Sequence, residues 1–238
     1  MNDSISYRKI ALIFGISLAA VGVLLLVIFF VFKLIFNEQI TYYHQKSAEY
    51  AAENANLDTG GTVLIGDSLV EWYPLEEHFN GRVIRNRGIK NDTTLGVLNR
   101  LQTSVFDLKP RVIIIMIGTN DISTPRSINA IIKTYKEIVY SIFDDTPTST
   151  IYVMSVPPQN KDFEKTPFVN VDNNMQRIRE LNAKLEAFCD SCAAVYVDLF
   201  DLLVDENGYL NKAYSDDGLH LNNDGYTVWT NLIKDKIL

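Results

Sequence analysis

A serine can attack a carbonyl carbon only if a base takes its proton, and the sequence supplies one arrangement in which that is feasible. The chain holds three histidines, His44, His78 and His220. His220 follows Asp217 by three residues across Gly218, in the run Ser215-Asp216-Asp217-Gly218-Leu219-His220-Leu221-Asn222. In a turn that glycine permits, the carboxylate can meet one ring nitrogen while the other faces a serine. The serine candidate is Ser68 in Gly66-Asp67-Ser68-Leu69, just beyond a short apolar run. Acyl transfer also needs donors for the oxyanion, and three loops offer them: the Ser68 N–H, the Gly88 N–H and the Asn120 side-chain amide. Each residue has an ordinary alternative. Asp67-Ser68 suits a helix cap, Gly88 and Asn120 suit turns, and His220 suits a solvated loop. His44 falls outside the globular part, and His78, after Glu76-Glu77, reads as a surface residue at a helix end.

These residues are separated by elements that alternate between short β-branched runs and stretches of helical spacing, the signature of a parallel sheet wrapped by helices. Five strands are predicted, over 62–65, 83–86, 111–117, 150–155 and 194–198. The third, Val112-Ile113-Ile114-Ile115-Met116-Ile117, is apolar throughout and reads as a central strand buried on both faces. Helices are predicted over 94–102, 127–143, 172–188 and 222–237, the last entered through the capping run Asn222-Asn223-Asp224. In such a sheet ligands bind beyond the carboxyl ends of the strands, and Gly66-Asp67-Ser68-Leu69, Gly88 and Asn120 fall at three of those ends.

The chain has 238 residues, a net charge of −7, 47% hydrophobic and 21% charged residues, which excludes a disordered acidic tail and a disulfide-stapled module. Residues 10–32 carry no charge, and about 23 residues at 1.5 Å each cover about 35 Å, enough to span a bilayer. A secretory signal has a shorter apolar core and small residues at its cleavage site, whereas Lys33-Leu34-Ile35-Phe36-Asn37 follows here. The expected organisation is a tail (1–9), a single membrane anchor (10–36), a stalk without chemistry (37–60) and one catalytic domain (61–238). Arg8 and Lys9 ahead of the span favour a cytoplasmic N-terminus and an extracytoplasmic domain. That domain is acidic and lacks a basic stripe, which argues against nucleic acid as a partner. Cys189 and Cys192 are too few for a metal site and read as buried or loosely paired thiols.

Together, Gly66-Asp67-Ser68-Leu69, Gly88, Gly118-Thr119-Asn120-Asp121 and Asp217-Gly218-Leu219-His220 resemble the ordered blocks of the SGNH (GDSL-type) hydrolases. The likeness runs from about residue 62 to 237. It implies a three-layer α/β/α flavodoxin-like fold with a five-stranded parallel sheet, and metal-independent ester hydrolysis with no cofactor. By the same likeness Ser68 is the nucleophile, His220 the base, Asp217 its orienter, and Ser68, Gly88 and Asn120 the oxyanion donors.

Substrate choice is expected to reside in Val70-Glu71-Trp72-Tyr73-Pro74, Lys90-Asn91-Asp92-Thr93 and residues 157–171. The last stretch mixes charged and aromatic residues and is too polar for a lipid-binding lid. Aromatics such as Trp72 and Phe168 beside polar groups suit a sugar or another small polar alcohol, although both also suit packing. Asn91-Asp92-Thr93 fits a glycosylation pattern, but its place beside the expected cleft favours an unmodified loop. The expected reaction is therefore hydrolysis of short, acetyl-type esters of a small-molecule or glycan substrate. The alternatives are a lysophospholipase or thioesterase for longer chains, and a catalytically silent binding domain.

Overall fold

A computed structural model of the chain describes residues 3–163 and 170–237. Phe168, expected to shape the substrate site, lies outside the described residues. Two compact units are present, Met1–Gln45 and Lys46–Leu238. The first is the greater part of helix α1 (Asp3–Asn54). Within it Ala20–Asn54 contains an apolar window of mean hydropathy 2.6, none of it buried. An anchor and a signal sequence both meet that description.

The second unit is built on five parallel strands: β1 (Thr62–Gly66), β2 (Ile84–Gly88), β3 (Val112–Met116), β4 (Thr150–Met154) and β5 (Val195–Val197), in the order β2-β1-β3-β4-β5. β1 and β3 are buried at every position, as expected of the apolar run through β3 and of Val63, Leu64 and Ile65 in β1. Successive side chains point to opposite faces, so Val63, Ile65, Ile113 and Ile115 enter one core while Leu64, Val112, Ile114 and Met116 enter the other.

Helices α7 (Ile128–Asp145) and α8 (Val171–Cys189) cover the first face, together with α4 (Thr94–Asn99) and α5 (Leu101–Ser104). The second face is covered by α2 (Ser68–Glu71) and α10 (Asn223–Ile233), where Tyr73, Tyr226 and Trp229 pack ring on ring. Short helices α3 (Leu75–His78), α6 (Thr119–Ile122) and α9 (Phe200–Leu203) complete the unit. The architecture is the expected three-layer α/β/α sandwich. Because the chain passes from β1 outward to β2 and then back to β3, the loops after β1 and β3 part at the carboxyl end of the sheet and leave a crevice.

Several expectations are revised. The helix expected over 94–102 breaks at Arg100, whose φ of −112° departs from helical geometry, because its guanidinium turns inward to a set of buried acceptors. β5 is shorter than expected and Val195 is exposed, as an edge strand allows. The compact unit begins at Lys46, within α1. His78 is no simple surface residue: its ring meets Tyr73 edge-on, with centroids 5.8 Å apart. Of the two readings of the cysteines the buried one holds for Cys189: both thiols are free, and burial pushes the Cys189 thiol up to about 12.

Candidate active site

β1 ends at Gly66, where a Cβ would lie 1.9 Å from the Met116 carbonyl oxygen; only glycine lets the strand end close against β3. Asp67 then caps α2, its Oδ1 accepting the Leu69 N–H at 3.0 Å. The capping role expected of the Asp67-Ser68 pair thus belongs to Asp67 alone, and Ser68 is the first helical residue with its hydroxyl released. Ser68 Oγ stands 3.0 Å from His220 Nε2. Its backbone N–H has no hydrogen-bond partner among the described residues.

His220 is presented by a turn that Asp217 organises. Asp217 Oδ1 accepts the backbone N–H groups of Leu219 and His220 at 2.9 and 2.8 Å, and Oδ2 lies 2.7 Å from His220 Nδ1. A carboxylate can only accept, so Nδ1 carries the hydrogen and Nε2 is left with its lone pair toward Ser68. Burial alone would raise the Asp217 carboxyl, but the hydrogen bonds from the His220 ring and from the His220 and Leu219 amides outweigh it and hold the group below its ordinary value. Gly218 makes the turn possible with φ +80°, and a Cβ there would lie 2.7 Å from the Phe163 Cβ. The Asn160 N–H donates to the Gly218 carbonyl at 2.9 Å, so the loop after β4 buttresses the His220 turn. Trp72 lies against the imidazole, ring centroids 4.3 Å apart, and is half exposed. It borders the serine–histidine pair rather than filling the core.

Asn120 sits on α6 and donates from Nδ2 to the Asp92 carbonyl at 2.9 Å, leaving its second amide hydrogen available. Gly88 differs from expectation. Its N–H donates to Asn86 Oδ1 at 2.9 Å and is therefore committed, not free for an oxyanion. The glycine is required for another reason: a Cβ would fall 2.1 Å from the Glu71 backbone nitrogen, so its absence lets α2 lie against β2. The neighbouring turn, closed by the Asp92 N–H on the Ile89 carbonyl at 3.1 Å, holds exposed Asn91 at φ +62°. The Asn91 N–H has no partner among the described residues. The sequence signal was present, since asparagine is among the few residues that tolerate this left-handed conformation.

Beneath these loops lies a set of buried ionic groups that spacing alone did not bring together. Arg100 donates to Asp92 Oδ2 at 2.8 Å, to the Arg87 carbonyl and Ser104 Oγ at 2.8 Å each, and to the Gly66 carbonyl at 3.0 Å. It joins the ends of β1 and β2 to the Asn91 turn. Asp121 accepts from Thr94 and Arg126. Among the described residues Asp67 has no cation: its Oδ2 is buried without a partner, and burial, aided by the Asp92 and Asp121 charges, raises its carboxyl to about 7. Among the described residues no cluster of three or more His, Cys, Asp or Glu side chains is arranged to hold a metal ion.

The family model described as the GDSL-like Lipase/Acylhydrolase family matches residues 58–228. An N-acylneuraminate cytidylyltransferase from Escherichia coli O18:K1:H7 is 31% identical over 179 residues, which are 71% of this chain. The chain spans only 38% of the length of that curated relative. Several solved structures are similar over most of both chains, two of them as follows. A protein from Streptococcus pneumonia, provisionally described as a platelet activating factor, has a TM-score of 0.80 and 28% identity over 87% of this chain and 97% of its own. A GDSL-like lipase from Bacteroides thetaiotaomicron has a TM-score of 0.72 and 25% identity over 80% of this chain and 96% of its own.

Proposed function

The chain belongs to the GDSL-like lipase/acylhydrolase family, and from that premise we propose that it is a membrane-anchored serine esterase that removes short acyl groups, acetyl above all, from a polar substrate such as a glycan. The observation that carries this reading is the ordered contact from Ser68 Oγ to His220 Nε2 at 3.0 Å and from His220 Nδ1 to Asp217 at 2.7 Å. In the proposed reaction Nε2 takes the Ser68 proton as Oγ bonds to the ester carbonyl carbon, and the carbonyl electron pair moves to oxygen. As the tetrahedral intermediate collapses, the C–O bond to the alcohol breaks and His220 returns the proton to the leaving oxygen. A water that gives its proton to His220 Nε2 then bonds to the acyl carbon, the C–Oγ bond breaks to release the acid, and His220 returns the proton to Ser68 Oγ. Asp217 holds the tautomer and offsets the charge on the imidazolium.

The proposed oxyanion donors are the unpaired Ser68 N–H and the free amide hydrogen of Asn120, each worth about 2.7–4 kcal/mol in the barrier. The unpartnered Asn91 N–H takes the part first expected of Gly88. Support for a polar alcohol comes from Trp72, half exposed beside His220 and suited to stack on a sugar ring. The curated relative is, by its name, a cytidylyltransferase for N-acylneuraminate. α1 is proposed as the anchor, with the N-terminus cytoplasmic and the hydrolase unit outside.

The test is hydrolysis of p-nitrophenyl acetate, butyrate and octanoate by the chain and by Ser68→Ala. Turnover that falls with chain length and is lost in Ser68→Ala, with fluorophosphonate labelling lost as well, is expected. A preference for octanoate would replace the short-acyl reading, and equal activity in Ser68→Ala would end the mechanism.

A further inference from the structure

Residues 46–54, the end of α1, belong to the same compact unit as the sheet and lie along the outer edge of β2. On this edge strand alternate amides face β1; the Ile89 N–H donates to the Gly66 carbonyl at 3.0 Å, so both polar groups of Gly88 face outward. Neither is left to water. The N–H is held by Asn86, and the carbonyl accepts the hydroxyl of buried Tyr50 at 2.5 Å.

Tyr50 is itself fixed in place. The Arg87 guanidinium covers its ring at 4.5 Å and donates to Glu53 Oε2 at 3.0 Å and to Asn54 Oδ1 at 2.9 Å. Asn54 in turn donates to the Thr103 carbonyl at 2.7 Å. The end of α1, expected to be a stalk without chemistry, therefore grips the strand that leads into the Asn91 turn.

We propose that Tyr50 is a positioning residue for the esterase reaction, an inference that rests on the serine-esterase reading above. The Gly88–Ile89 peptide opens the turn that carries the Asn91 N–H and the Asp92 carbonyl bound by Asn120. Its N–H side is tied to Gly66, two residues before Ser68, and its C=O side to Tyr50. With both ends held, the peptide plane cannot rotate, and the oxyanion donors keep their place relative to Ser68. Without the hydroxyl, a buried carbonyl loses its partner and only one end remains tied.

The experiment uses the full chain in nonionic detergent with p-nitrophenyl acetate. Tyr50→Phe removes one oxygen and keeps the ring under Arg87. It is expected to lower kcat about tenfold with KM within twofold, the pattern of an interaction that matters in the transition state. Glu53→Gln, which weakens the same docking without touching Gly88, is expected to lower resistance to urea while leaving kcat unchanged. Unchanged kcat in Tyr50→Phe, a loss confined to KM, loss of folding in Tyr50→Phe, or an equal fall in kcat in Glu53→Gln would each overturn the proposal. A wild-type chain that neither turns over ester nor reacts with a fluorophosphonate would instead remove the esterase reading on which it stands.

Discussion

Asp67→Asn should make the protein more stable at neutral pH, and the size of the gain follows from where Asp67 sits. Its Oδ1 caps α2 through the Leu69 N–H, which asparagine can still satisfy. Its Oδ2 is buried with no partner and no cation. Burial first, and then the Asp92 and Asp121 charges, raise the carboxyl from 3.8 to about 7. The sign follows from proton binding. Between those values the unfolded chain has lost the proton that the folded protein keeps, so the unfolded state binds fewer protons and stability falls as pH rises. Below pH 3.8 both states are protonated and the penalty vanishes; above about 7 it is complete. The gap corresponds to about 4 kcal/mol at full burial. Asparagine does not titrate, so the variant should match the wild type near pH 4 and exceed it by about 2–4 kcal/mol at pH 8. Urea unfolding followed by tryptophan fluorescence suits the measurement, since Trp229 is fully buried and Trp72 is not. Parallel stability curves for the two proteins from pH 4 to 8 would refute the reasoning.

Two further substitutions probe the loops themselves. Gly88→Ala puts a Cβ against the Glu71 backbone at 2.1 Å, so α2 and Ser68 must shift; a loss of about 3 kcal/mol in urea unfolding, with loss of turnover, is expected. Asn120→Ala should lower kcat by about 10²–10³ with a smaller change in KM, and a change confined to KM would remove Asn120 from the oxyanion site.

The sheet was legible because β3 is apolar at every position and β1 is apolar from Val63 to Ile65, a pattern expected of strands covered on both faces. The serine, the histidine and its carboxylate were legible for a different reason: each lies in a short local motif whose geometry follows from its neighbours, as when Gly218 lets Asp217 fold back on His220. What escaped were relations between distant segments. Nothing near Arg100 in the sequence says that it will leave its helix to bind Asp92 and the ends of two strands. Nothing near Tyr50 distinguishes it from the tyrosines just before it, because its significance depends on the carbonyl of an edge strand 38 residues away. Gly88 was read as a donor from its place in a strand-end loop, whereas its N–H is held by Asn86 Oδ1 and its lack of a Cβ lets α2 lie against β2.

The buried charges explain how such loops can be both polar and rigid. A site that stabilises an oxyanion needs unpaired donors held still, and unpaired donors are a poor source of rigidity. The rigidity comes from the layer below. There Arg100 and Arg126 satisfy the Asp92 and Asp121 carboxylates, and through Asp92 and Asp121 they fix the loops after β2 and β3. Removing one member of such a buried pair typically costs about 3–5 kcal/mol, because the other charge is left alone. Among the described residues Asp67 has no such partner. The loop after β1 is held by the glycine contact with β3, by the cap on Leu69 and by the Arg100 bond to the Gly66 carbonyl, and it carries a buried carboxyl whose raised pKa weakens the fold as the pH rises.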